Sequence, residues 1–185
     1  MTVSRPHELD ATTLSRDLNT SRVGRRITVL RQIDSTNDYA LDTLAAREAK
    51  AADGHVVFAE HQTAGHGRLG RAWLSPRGAS LLFTLLLWED APVLTPERIV
   101  MAAALGVAAG IENATDVEPV VRWPNDVDTR GRKLAGILVE VRPGCDRARA
   151  IAIGIGVNCL QQPGHFPPEI RETATSLEIE SAAPV

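Results

Sequence analysis

The chain has 185 residues, with 20 Lys+Arg against 23 Asp+Glu, a formal charge of -3 and a hydrophobic fraction of 44%. That length suits one domain with a sizeable core rather than two full domains, and the charge balance offers no global positive field for nucleic acid. Cys145 and Cys159 cannot make a dense disulfide framework, polar Arg5, His7, Glu8 and Asp10 stand where a signal peptide would be apolar, and the greasiest run, from Leu81, is too short for a bilayer, so the expectation is a cytoplasmic protein without a membrane or nucleic-acid partner.

Residues 1–26 read as a polar N-terminal arm with a short helix around Leu9, Leu14 and Leu18, and residues 27–185 as the folded domain. Alternation with β-branched residues predicts a strand from Ile27 to Ile33. Ser35 followed by Asp38 is a capping signal, and Ala40, Leu41, Leu44, Ala45 and Ala49 recur at helical spacing, which sets Ser35 and Thr36 at a helix N-terminus. A strand VVFAE then opens into the glycine-rich loop TAGHGRLGR. The almost continuous apolar run from Ala79 to Trp88 predicts a strand buried on both faces. Thr95-Pro96 starts a helix over 96–112 with Ile99, Ala103, Val107 and Ile111 on its core side.

A short strand at 119–122, the turn WPND, a turn around Gly131, a strand from Leu134 and a break at Pro143-Gly144 follow. The strand Ala150 to Val157 puts Ile151, Ile153, Ile155 and Val157 on one face and Ala150, Ala152, Gly154 and Gly156 on the other. The branched face belongs in a core; the nearly bare face permits close approach by a helix or a bound planar group. The fold class is α+β, a mixed, largely antiparallel sheet packed against helices.

Three clusters carry chemistry. Gly65, His66, Gly67, Arg68, Gly70 and Arg71, with Trp73 and Arg77 behind them, have no acidic residue from 66 to 77; such glycines let backbone N–H groups converge on a phosphate while guanidinium adds bidentate donors. A solvated surface turn is the plainer alternative. Gly65, Gly67 and Gly70 also satisfy GxGxxG, but RAWLSPRG follows instead of a helix, which counts against a dinucleotide fold. In the second cluster, Trp123 could stack on a base or plug the core edge, Asp126 could act chemically or merely cap a turn, and Lys133 projects from a strand start. The third is Gly154, Gly156 and Asn158, where Asn158 suits either a ribose or phosphate contact or a strand-end cap. The five histidines lack zinc spacing. A basic loop, an isolated lysine and a stackable indole suit attack of a substrate carboxylate on the α-phosphate of ATP, with no protein nucleophile needed.

At these residues the sequence closely resembles the biotin protein ligases: DSTN at 34–37, AEHQTAGHGRLGRAWLSP at 59–76, RWPNDV at 122–127, RKLAGILVE at 132–140 and GIGVN at 154–158. The resemblance implies a class II aminoacyl-tRNA synthetase-like, biotin–lipoate ligase fold. It also implies a two-step enzyme that makes biotinyl-5'-adenylate from biotin and ATP with Mg2+, then transfers biotin to a lysine of a biotin carboxyl carrier domain. By the same resemblance Ser35, Thr36, Gln62, Gly65, His66, Gly67 and Gly136 address biotin, and Arg68 and Lys133 hold the carboxylate and α-phosphate. Arg71, Trp73, Trp123, Asn125 and Asn158 surround the adenylate, and Asp126 is linked to magnesium placement or amine activation.

His66 stands where many members carry arginine. Because histidine near neutrality carries only part of that charge, looser adenylate retention at higher pH is expected, and His66→Arg should remove the pH dependence of adenylate release. The arm is too short for the DNA-binding domain of repressor-type ligases, and SAAPV ends the chain where the family continues into a small β domain. A homodimer paired through sheet edges is a further expectation. Lipoate or octanoate attachment is the chemical alternative, and a non-catalytic biotin or adenylate binder the other.

Overall fold

A computed structural model describes residues 9–16, 18–91, 93–144 and 147–183; Cys145 lies outside the described residues. One seven-stranded sheet runs in the order β1-β2-β3-β7-β6-β5-β4, where the strands are β1 (Arg26–Leu30), β2 (His55–Ala59), β3 (Ser80–Glu89), β4 (Val120–Arg122), β5 (Asp126–Thr129), β6 (Arg132–Pro143) and β7 (Arg149–Asn158). Only β1 and β2 pair in parallel, and every other neighbouring pair is antiparallel. The mixed, largely antiparallel architecture is therefore as expected.

Each face carries its own apolar layer. On one side Ile151, Ile153, Ile155 and Val157 of β7 pack with Ile99, Ala104, Ala108 and Ile111 of α4 (Pro96–Ala114), a helix capped by Thr95 through the Arg98 N–H. Ala103 and Val107, expected at the centre of that contact, lie at its half-buried margin. On the other side Ala150 and Ala152 of β7 and Leu86 of β3 meet Ala40, Leu41, Leu44 and Ala45. These belong to a helical segment that begins as α2 (Thr36–Asp38), widens into a π-helical stretch (Tyr39–Ala45) and returns to α-helix as α3 (Ala46–Glu48). Ser35 caps its start, its Oγ accepting the Asp38 N–H at 3.3 Å.

Three expectations about elements change. β1 stops at Leu30, and beyond it only Ile33 bridges, to Gln62. Ala49 leaves the apolar stripe: the π-helical stretch adds a residue to the turn, and the chain turns out at Ala49 with φ 46°, so Ala52 is buried in its place. β3 is well buried only on the α2 side, at Leu82, Thr84 and Leu86; Leu81, Phe83, Leu85 and Leu87 on the α4 side are half-buried, and the first three border an apolar cavity of about 440 Å3.

In the described part of the arm, α1 (Ala11–Arg16) is a short helix with Leu14 half-buried and Leu18 exposed beyond it. The arm is anchored farther along, where Arg22 makes a bidentate pair with Asp53 and Gly24 N–H donates to Gly54 O at 2.8 Å. Among the described residues no helix is long and apolar enough to cross a membrane.

Candidate active site

Two consecutive even positions of β7, Gly154 and Gly156, set the floor. The bare face receives the expected helix and, in addition, a side-chain ring: a Cβ at Gly154 would lie 2.4 Å from Asn37 Oδ1 of α2, and one at Gly156 would lie 2.6 Å from the Trp73 indole. Gly136 on β6 is the register partner of Gly156, and its Cβ would meet the same indole at 2.9 Å. A planar ring thus rests on two paired glycines, closer than any side chain would permit.

Lys133 reaches this floor through a break in register. Residues 133 and 136 of one strand ordinarily face opposite sides of a sheet. Here β5 pairs Asp126 with Gly136 and Val127 with Ala135, then Asp128 with Lys133, so Leu134 is the extra residue of a bulge. Lys133, Asp126 and Gly136 consequently share one face. Lys133 Nζ lies 2.7 Å from Asp126 Oδ1 and 5.6 Å from the Trp73 ring centroid. Its backbone is fixed on the other side by Thr173 O and the Thr175 N–H.

The glycine-rich loop folds as a narrow finger. His66 bridges Ala72, Gly67 N–H donates to Arg71 O at 2.7 Å, and Trp73 N–H donates to Gly65 O at 2.8 Å. The tip is the turn Arg68–Gly70, with Leu69 and Gly70 both at positive φ. The backbone donors of Gly67, Arg71 and Trp73 are thus spent inside the finger, and Arg68 reaches out of it by its side chain. Arg68 Nη1 donates to Asn125 Oδ1 at 3.0 Å, and Asn125 is itself bound to β6 through Ile137 N–H and O. Arg68 and Lys133, far apart in sequence, therefore land on adjacent residues, Asn125 of the turn before β5 and Asp126 at the start of that strand. Arg71 is exposed at the finger's base.

The α2 end is a buried polar net. Gln62 Oε1 accepts from both Thr36 N–H and Thr36 Oγ1, at 2.8 and 3.0 Å. Fully buried Thr84 donates to the Thr36 hydroxyl or to Asn37 Oδ1, 2.8 and 2.6 Å away, and Asn37 Nδ2 donates to Glu140 Oε2 at 2.7 Å. Gly65 is packed against Gln62, 2.8 Å from where its Cβ would stand. Ser35, Thr36, Gln62 and Gly65 are in this way joined as one wall, with Gly67 and His66 on the finger beside it. Thr84, Asn37 and Glu140 were missed as individuals; the lone hydroxyl in LLFTLLL was the legible signal for the first.

Trp123 and Asn158 differ sharply in exposure. Trp123 is 62% exposed on the turn, so it does not plug the core edge and its face is open to a base. Asn158 is buried and turned inward, donating to Thr175 O and accepting from Gln161 Nε2, both at 2.9 Å, which is the capping use. Asp126 carries two cations, Lys133 and Arg122 at 3.1 Å. That set anchors the lysine, and each carboxylate oxygen keeps a second lone pair that an ion could use. Trp73 Nε1 is buried with no hydrogen-bond partner, an available donor inside the site. Outside the finger a second cavity of about 440 Å3 runs from Gln62, Gly65 and Trp73 to His165 and Pro167.

The profile of the Biotin/lipoate A/B protein ligase family matches residues 29–158. The chain belongs to that family. Among its relatives, the Bifunctional ligase/repressor BirA of Bacillus subtilis is 36% identical over 95% of this chain and 53% of that protein. The Biotin--[acetyl-CoA-carboxylase] ligase of Mycobacterium tuberculosis is 38% identical over 86% of this chain and 58% of that protein. The chain spans about half the length of these curated relatives. Among solved structures, the biotin protein ligase from Aquifex aeolicus in complex with biotin and ATP superposes with a TM-score of 0.70 at 29% identity, covering 87% of this chain and 63% of that one.

Proposed function

We propose that this family member activates biotin with ATP and passes it to a lysine of a biotin carboxyl carrier domain. The observation that carries the reading is the delivery of Arg68 and Lys133 to neighbouring residues Asn125 and Asp126 beside a glycine floor. A flat bicyclic acid suits that floor in the place of, or layered with, the Trp73 indole, with the Thr36–Gln62 wall supplying polar contacts at the ring end. Lys133 and Arg68 neutralise the acid and the α-phosphate as they approach.

In the first step a carboxylate oxygen bonds to the α-phosphorus and the bond to the bridging oxygen breaks, releasing pyrophosphate. In the second the neutral amine of the acceptor attacks the acyl carbon, AMP leaves with the bonding pair, and the amine's proton passes to solvent. Asp126 acts by holding Lys133 in place. Magnesium would arrive on the nucleotide phosphates and shield the leaving pyrophosphate, with Asp126 the residue that would help place it. The cavity toward His165 offers room for the nucleoside, and Trp73 Nε1 a donor for an adenylate oxygen. A cytoplasmic setting and a homodimer paired through an outer strand, β1 or β4, belong to the same proposal.

The test is mass-resolved adenylate formation with biotin, lipoate and octanoate in parallel, followed by a biotin carboxyl carrier domain. Biotinyl-adenylate and then a biotinylated carrier are expected. Lipoyl- or octanoyl-adenylate alone would assign the site to the other branch of the family, and biotin binding without pyrophosphate release would reduce it to a binder.

A further inference from the structure

Asp38 of α2, His66 of the finger and Glu140 of β6 each bring one ligand-capable atom within 4.8 Å of the others. His66 Nε2 lies 3.5 Å from Glu140 Oε2 and 3.8 Å from Asp38 Oδ1. These separations are long for hydrogen bonds, but they approach the edge of a tetrahedron, about 3.3 Å, around an ion bound at 2.0–2.1 Å. The imidazole is also oriented for ligation: Nδ1 lies 3.3 Å from Ala64 O, a carbonyl to which it can donate, while Nε2 turns to the carboxylates.

We propose that Asp38, His66 and Glu140 bind a divalent cation of the zinc class, which clasps the glycine-rich finger to α2 and β6. One nitrogen and two oxygens are a borderline donor set that suits Zn2+ or Co2+ better than magnesium, and water fills the remaining position. Asn37 Nδ2, on Glu140 Oε2 at 2.7 Å, is the outer-shell partner that orients this carboxylate. The site also relieves a repulsion. Burial holds the Asp38 carboxyl above its ordinary value, His66 opposes this, and the Glu140 and Asp42 carboxylates add to it; Arg142 is paired with Asp42. All three ligand side chains are partly solvent-exposed, so an ion has access. Along β6, Glu140 is four residues from Gly136, roughly 13 Å at strand rise, so the ion sits apart from the lysine end of the floor.

The experiment is titration of the whole, chelator-treated chain with Zn2+ by calorimetry, alongside Co2+ followed by visible absorption, for the wild type, Glu140→Gln and Asp38→Asn. One equivalent per chain is expected, with a low-coordinate cobalt spectrum, and affinity lowered at least about tenfold in each variant. Both substitutions are near-isosteric, and thermal melts without metal report their folding. In the wild type Zn2+ should also raise the melting temperature and slow tryptic cleavage after Arg68 and Arg71 in the finger. Absence of saturable binding, or wild-type affinity in both variants, overturns the site and leaves the three residues as an ordinary ion-pair cluster. These readouts involve neither biotin nor ATP, so the result is separate from that of the adenylation assay.

Discussion

Lys133 is placed by a strand start, a bulge and a carboxylate, and its removal tests the reaction directly. Lys133→Ala should lower pyrophosphate release from biotin and ATP by roughly 100- to 1000-fold, the scale of losing one charged donor at a developing anion; an unchanged rate would remove Lys133 from the chemistry. Gly154 tests the packing beneath α2. In Gly154→Ala the new methyl would fall 2.4 Å from Asn37 Oδ1, a group bonded to Thr84 in a buried net, and the urea midpoint should fall by an amount worth about 1–3 kcal/mol. The bare face of β7 was legible because strand periodicity is local and needs only the residues themselves. That Lys133 shares a face with Gly136 was not, since a bulge depends on which residue of β5 lies opposite. The same holds for Trp73, whose ring reaches β7 only after the finger has folded back.

At the level of elements, the arm is held by Arg22 and Asp53, with Asp53 Oδ1 also accepting the Trp88 N–H at 2.8 Å. Burial alone would raise the Asp53 carboxyl, but the hydrogen bonds from Arg22 and Trp88, together with the charges of Arg22 and Lys50, bring it below the ordinary value. A folded value below the unfolded one gives stability that is full above the unfolded value, near 3.9, and lost as pH falls through the folded value. Asp53→Asn should therefore cost about 1 kcal/mol near neutrality, a modest figure because Arg22 is half exposed, and the gap between the two proteins should close in acid. Urea unfolding of both across pH checks this, and a gap constant from pH 7 into acid would remove the carboxylate's charge as its cause. Helix starts at Ser35 and Thr95 could be read from capping chemistry, which is confined to a few residues. The π-helical stretch could not, because an inserted residue is settled by what the far turn must bury, here Ala52 in place of Ala49.

Across the whole molecule the sheet divides two tasks: the α4 side is an apolar layer, and the α2 side carries the glycine floor, the polar wall and the finger. Alternation along β7 announced that division, but not the strand order, because β3 meets β7 across a long stretch of chain with no local turn to link them. The two outer strands are where paired catalytic domains would meet, and Val120 on β4 is 63% exposed. Sedimentation equilibrium should give a dimer that Val120→Lys on β4 weakens; a wild-type monomer throughout the concentration series would exclude edge pairing. The floor beneath the indole has a consequence for any attempt to redesign the pocket. Its height is set by main chain alone at Gly136 and Gly156, so it cannot yield by rotamer adjustment as an aliphatic lining would. Because the indole already rests in contact with that base, a flat cargo gains headroom only where Trp73 lifts away or a smaller residue replaces it, since the base has nothing left to trim.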